Sequence, residues 1–154
     1  METRQLEIDE TDRRILSELK KDCRRSYREL ALEIGMSPAA LIERMRRLER
    51  GGAVVGYSAD FDYLKLGFEF MAIVEISISG RDLLGVEKRI AQIPRVAAVW
   101  DTTGEYDAVA VLICKNRSEL SATIKKILAM ESVEKTNTNI VLNVVKRLTD
   151  FSEV

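Results

Sequence analysis

The chain is predicted to be an α+β protein in two parts: three helices ending near Arg50, then strands and helices in the order βαββαβ. Three observations predict this. Before Gly51-Gly52, apolar residues recur at helical spacing. After that pair, alternating and apolar-run strands interleave with two helices. The N-terminal part also carries two helix starts separated by a glycine stop, the order of a helix-turn-helix. With 154 residues, each part can bury a modest core.

The first helix opens at Asp9, a good N-cap, with Glu10 and Asp12 in the first turn, where the helix dipole favours acids. Ile15, Leu16 and Leu19 form its apolar stripe. Ser26-Tyr27-Arg28-Glu29 has the spacing of a capping box and starts a short second helix with Leu30, Ala31 and Ile34 inward. Gly35 offers the left-handed stop, and Ser37-Pro38 restarts a helix at once, serine capping and proline in the first turn. Such spacing also suits an ordinary helical hairpin.

The faces of the third helix, Ser37 to Arg50, distinguish the two. At about 100° per residue, Leu41, Met45 and Leu48 gather on one side and must pack on the earlier helices. The opposite side carries Ala39, Glu43, Arg46 and Arg50, flanked by Ala40 and Arg47. Small residues let a helix enter a groove closely, and arginines farther along can reach phosphates or guanine edges. From Lys20 to Arg50 nine cations face five acids, inside a chain whose formal net charge is −1. The candidate DNA contacts are therefore Ser37, Ala39, Ala40, Glu43, Arg46, Arg47 and Arg50, with Arg28 from the second helix. The alternative is a solvated face laced by charge pairs such as Glu43 with Arg46 and Arg47.

Val54 to Phe61 is strand-like and is expected to form the far side of a wing, then the connector. In Phe68 to Ser79, residues Phe68, Phe70, Ala72, Val74, Ile76 and Ile78 share one face. Glu69, Met71, Ile73, Glu75 and Ser77 share the other, whose apolar members imply that it too is covered. A helix from about Leu83 to Gln92 ends before Pro94. Val96 to Thr102 and Asp107 to Cys114 form a hairpin around Thr103-Gly104-Glu105-Tyr106. Ser118 is the expected cap of the next helix, with Leu120, Ile124, Ile127 and Leu128 inward. The final strand is expected over Val133 to Leu148, with Thr136, Thr138, Ile140, Leu142 and Val144 on one face.

This is the ferredoxin-like order, an antiparallel sheet with both helices on one side. The opposite face predicts self-association. The expected organisation is a (winged) helix-turn-helix domain over 1–53, a connector strand or hinge over 54–66, and a ferredoxin-like domain over 67–154.

Composition narrows the function. The chain contains no histidine, which removes the commonest general base and metal ligand. No catalytic residue, metal site or cofactor is predicted. Cys23 and Cys114 lie far apart and make a poor disulfide framework, which fits a reducing cytoplasm. Apolar runs are too short to span a bilayer, and Met1 to Gln5 lack the apolar run of a secretory signal.

Together these pieces resemble the Lrp/AsnC family, also called feast/famine regulators, over nearly the whole chain. The carriers are Ile8-Asp9-Glu10-Thr11-Asp12-Arg13-Arg14-Ile15-Leu16, Ser37-Pro38, Arg44-Met45-Arg46-Arg47-Leu48-Glu49 and Val55-Gly56-Tyr57. In the second part they are Thr103-Gly104-Glu105-Tyr106-Asp107 and Val133-Glu134-Lys135-Thr136-Asn137-Thr138. The resemblance implies a cytoplasmic transcription regulator on double-stranded DNA. It further implies a dimer through the C-terminal sheets, assembling to tetramers or octamers, with an amino-acid effector held between dimers. By the same resemblance, the effector site involves Thr102, Gly104, Glu105, Tyr106, Asp107, Thr136 and Thr138. Backbone amides around Gly104 suit a carboxylate, Asp107 an ammonium, and Tyr106 an apolar wall. Two other readings stay open: a sensor acting through protein partners, and a sirohaem decarboxylase-like enzyme, which the missing histidine disfavours.

Overall fold

The computed structural model describes residues 6–148 and divides into two compact units. The first runs through Asp60 and includes Lys146 to Leu148 among the described residues; the second is Phe61–Val145. The residues from Lys146 thus group with the first unit, though sequence placed them in the sheet domain.

In the first unit, α1 (Glu10–Lys21), α2 (Tyr27–Ile34) and α3 (Pro38–Arg50) follow the expected starts and stops. Asp9 and Asp12 form a reciprocal capping box on α1, and Ser26 and Glu29 form another on α2. Gly35 ends α2 at φ 83°, a left-handed turn that suits glycine, and its amide and that of Met36 both reach the Ala31 carbonyl. The Ser37 hydroxyl accepts from the Ala40 amide at 3.2 Å and caps α3. Ile15, Leu30, Ala31, Ile34, Leu41, Met45 and Leu48 form the buried core, flanked by Leu16 and Leu19. No strand occurs over 54–66, where the expected connector strand finds no partner within a single chain.

The second unit is a four-stranded antiparallel sheet in the order β2-β3-β1-β4. Its elements are β1 (Phe70–Ile78), α4 (Leu83–Ala91), β2 (Val96–Asp101), β3 (Ala108–Cys114), α5 (Arg117–Leu128) and β4 (Val133–Ile140). Ala72, Val74 and Ile76 of β1 and Ala108, Ala110 and Leu112 of β3 pack on Val86, Ile90, Leu120 and Ile127 of the two helices. The other sheet face presents Met71, Ile73, Val109, Val111, Ile113 and Trp100, none of them fully buried.

Three expectations are corrected. β4 ends at Ile140, not Leu148: β1 begins at Phe70, so in the register that sets Ala72 opposite Ile140 nothing of β1 faces the residues beyond Leu142. Among the described residues after Ile140 only the Val141 amide bonds back, to the Met71 carbonyl at 2.9 Å; Leu142, Val145 and Leu148 lie exposed. Asn116, not Ser118, caps α5: its side chain accepts from the Glu119 amide at 2.9 Å, two residues earlier than expected. Leu128 is exposed, and Thr123 takes an inward place by bonding back to the Glu119 carbonyl at 2.8 Å.

Candidate DNA interface and effector region

The outer side of α3 is built by its inner side. Leu41, Met45 and Leu48 are buried, which fixes the helix azimuth and turns Ala39, Ala40, Glu43, Arg46 and Arg50 to the exterior with the capping Ser37. Arg46 lies 3.8 Å from Glu43, with both side chains more than half exposed. Among the described residues Arg50 and Arg28 make no side-chain ion pair or hydrogen bond. Tyr57 ties the segment after α3 back to the helix, its hydroxyl donating to Glu49 at 2.8 Å. Burial, then Glu49 and Tyr27, push the Tyr57 phenol above its ordinary range.

Arg47 departs from this outward set. Its guanidinium pairs with the carboxylate of Asp12 on α1 and donates to the Glu7 carbonyl at 2.8 Å. Arg44 joins the same carboxylate at 2.9 Å and reaches Asp9 at 2.6 Å. Asp12 is fully buried and accepts from the Asp9 amide as well. Burial alone would raise its carboxyl pKa, but Arg47, the Asp9 amide and Arg44 outweigh that and hold it at about 2. Sequence reasoning treated Asp12 only as a first-turn acid. The missed signal is its place three residues before Ile15, on the apolar stripe, where a carboxylate has to find buried partners.

Around the β2–β3 hairpin, the Thr102 amide donates to the Asp107 carbonyl at 2.9 Å, and the Thr102 hydroxyl donates to the Tyr106 carbonyl at 3.2 Å. Gly104 turns the chain at φ 138°, a conformation that side chains rarely adopt. Asp107, expected to meet an ammonium, accepts the Ile78 amide on Oδ2 at 2.7 Å and closes the end of β1. Glu105 pairs with Lys135 at 3.3 Å, and the Lys135 ammonium sits 4.7 Å from the Tyr106 ring centre. Those two neighbours, Glu105 first, raise the lysine pKa.

Thr136 and Thr138 stand opposite Ile76 and Val74, so they share the helix-covered face of the sheet. Lys135, Asn137 and Asn139 alternate to the open face, where the two amides donate to Glu75. The two threonines and the Tyr106–Lys135 pair therefore come from opposite faces of the sheet. Glu87 on α4 was not anticipated. It is 7% exposed, its Oε1 has no hydrogen-bond partner, and burial followed by Asp101 and Asp107 pushes its carboxyl pKa up. Among the described residues no group of three or more His, Cys, Asp or Glu is placed to hold a metal ion, and no helix is long and apolar enough to cross a membrane.

A capped helix with small and cationic residues outward, following a glycine turn and joined to a βαββαβ domain, defines a two-domain regulator of the helix-turn-helix class. Residues 8–49 match the AsnC-type helix-turn-helix domain, and residues 71–151 match the Lrp/AsnC ligand binding domain. The chain belongs to the Lrp/AsnC family of transcription regulators. An HTH-type transcriptional regulator of Pyrococcus abyssi is 38% identical over 139 residues, covering 90% of this chain and 95% of its own. Among solved structures, the feast or famine regulatory protein of M. tuberculosis complexed with L-methionine is 30% identical at TM-score 0.84. It covers 91% of this chain and 95% of its own. AsnC of E. coli is 26% identical at TM-score 0.83, covering 94% and 99% respectively.

Proposed function

We propose that this chain is a homo-oligomeric, sequence-specific DNA-binding regulator of the cytoplasm whose DNA affinity is modulated by an amino acid or similar small effector. The observation that carries the DNA reading is the outer face of α3. Ser37, Ala39 and Ala40 permit close approach at its start, and Glu43, Arg46 and Arg50 project beyond them, with Arg28 of α2 nearby in sequence order to contact the backbone. Self-association is supported by the open sheet face of Met71, Ile73, Val109, Val111, Ile113 and Trp100, an apolar surface that a second copy would cover.

The effector reading rests on the family's ligand-binding domain and on the methionine complex of the mycobacterial relative. The hairpin from Thr102 through Gly104, Glu105 and Tyr106 to Asp107, with Thr136 and Thr138 of β4, is the proposed region. Because these groups come from both faces of one sheet, a second subunit is needed to bring them around one ligand.

Selection of bound fragments from genomic DNA, with and without each amino acid, tests the whole reading. The expected result is a shared palindromic motif with half-sites about 10 base pairs apart, or a multiple of that, and altered recovery with at least one amino acid. Recovery of fragments with no common motif would remove sequence-specific binding, and unchanged recovery with every amino acid would remove the effector.

A further inference from the structure

We infer that Asp12 sets DNA selectivity indirectly: it holds Arg44 and Arg47 against α1 and keeps both cations off the phosphates. The inference rests on the DNA-binding reading of α3. Helical geometry alone would put Arg47 on the DNA side. Four residues past Glu43 is about 40° around the helix, whereas Arg46, three residues past, is about 60° the other way. By position Arg47 is thus as outward as Arg46. It is drawn back because a fully buried carboxylate waits on the neighbouring helix, 35 residues earlier in sequence.

The grip is multiple. Asp12 takes one bond from each guanidinium, Arg47 is also held by the Glu7 carbonyl, and Arg44 also by Asp9. For a phosphate to capture Arg47, Asp12 would have to remain buried without its cation, a penalty that an exposed phosphate contact does not offset. The arrangement therefore subtracts charge from the sequence-independent part of binding. Arg46 and Arg50, bound to no such acid, are left to act on the duplex. Asp12 is a positioning residue in this scheme and touches no base.

The test measures equilibrium binding of the full chain to two duplexes across a salt series. One is a random-sequence 30-base-pair duplex; the other is a duplex selected by the native protein from a random library. Asp12→Asn is expected to tighten binding to the random duplex and to steepen the slope of log affinity against log salt by about one, because Arg47 is released while Arg44 keeps Asp9. Selectivity between the two duplexes should fall several-fold. Adding Arg47→Gln to Asp12→Asn should return the slope towards native. Weaker binding to both duplexes with an unsteepened slope would mean that Asp12 only supports the fold, and would overturn the inference.

Arg47→Gln in the native background decides the case even where Asp12→Asn does not fold. It should leave the slope on the random duplex unchanged, and a slope shallower by about one would show that Arg47 already contacts phosphate. Arg46→Gln separates this inference from the reading beneath it, because it should weaken binding to the selected duplex. If Arg46→Gln has no effect on either duplex, the outer face of α3 is not the DNA surface.

Discussion

Replacing Asp12 by asparagine should destabilise the first unit at neutral pH by roughly 2 kcal/mol, and that cost should fade in acid. The magnitude comes from the carboxyl itself. A fall from its ordinary 3.8 to about 2, at about 1.36 kcal/mol per pH unit, corresponds to roughly 2 kcal/mol. Removing one partner of a buried ion pair typically costs about 3–5 kcal/mol, because the other is stranded. Here the arginines are not stranded: Arg44 keeps Asp9, Arg47 keeps the Glu7 carbonyl, and their side chains are 31% and 40% exposed. The lower figure is therefore expected.

The sign follows from a depressed acid. Its stabilisation is complete above about pH 3.8 and is lost as pH falls towards about 2. Urea unfolding of the full chain, followed by far-ultraviolet circular dichroism, reads the difference between native and variant. Trp100, the single tryptophan and a residue of the second unit, is the internal control by fluorescence. A difference below about 0.5 kcal/mol at pH 7 would refute the reasoning, because surface changes alone reach that size. So would a full-sized difference persisting at about pH 2, where folded Asp12 is half-protonated.

Glu87→Gln should raise stability by on the order of 1 kcal/mol near pH 8, since a buried carboxylate with an unpaired oxygen is replaced by a neutral group. The folded-state pKa is raised, so the native glutamate is tolerated below about pH 4 and becomes costly as pH rises. Melting curves of the two proteins should therefore converge in acid. Asn116→Ala should destabilise the second unit by about 1 kcal/mol through loss of the α5 cap, whereas Ser118→Ala should stay within about 0.5 kcal/mol. Equal effects from the two substitutions would contradict the observed helix start. Ile73→Glu places a charge at the centre of the open sheet face. Sedimentation equilibrium should then report a single-chain mass for the variant and at least a dimer mass for the native protein, with the circular dichroism spectrum unchanged.

Local chemistry made much of the fold readable. The capping box at Ser26 and Glu29, the left-handed Gly35 and the Ser37-Pro38 start all act within one turn, so their spacing in the chain is also their spacing in space. The alternation of β1 likewise announced which side chains would be buried, because a strand's faces follow from a period of two. The candidate DNA surface was readable to the same extent: burial of Leu41, Met45 and Leu48 left Glu43, Arg46 and Arg50 outside, as the helical period required.

What depended on distant partners was not readable. Arg47 lay on the outer face by period, and only the meeting of α1 and α3 showed Asp12 beside it. The end of β4 was hidden because the strand's own residues stay β-like beyond Ile140, and only the register with β1, which begins at Phe70, leaves the residues after Leu142 without a ladder partner. Thr136 and Tyr106 sat together in the expected pocket until the register with Ile76 put the threonines on the helix-covered face. Sequence by itself determined the elements, their caps and their buried faces, because those follow from bonds between near neighbours and from helical and strand periods. Tertiary structure decided which charges are held and which remain outward, because a buried carboxylate binds the cations that the packing of helices brings to it.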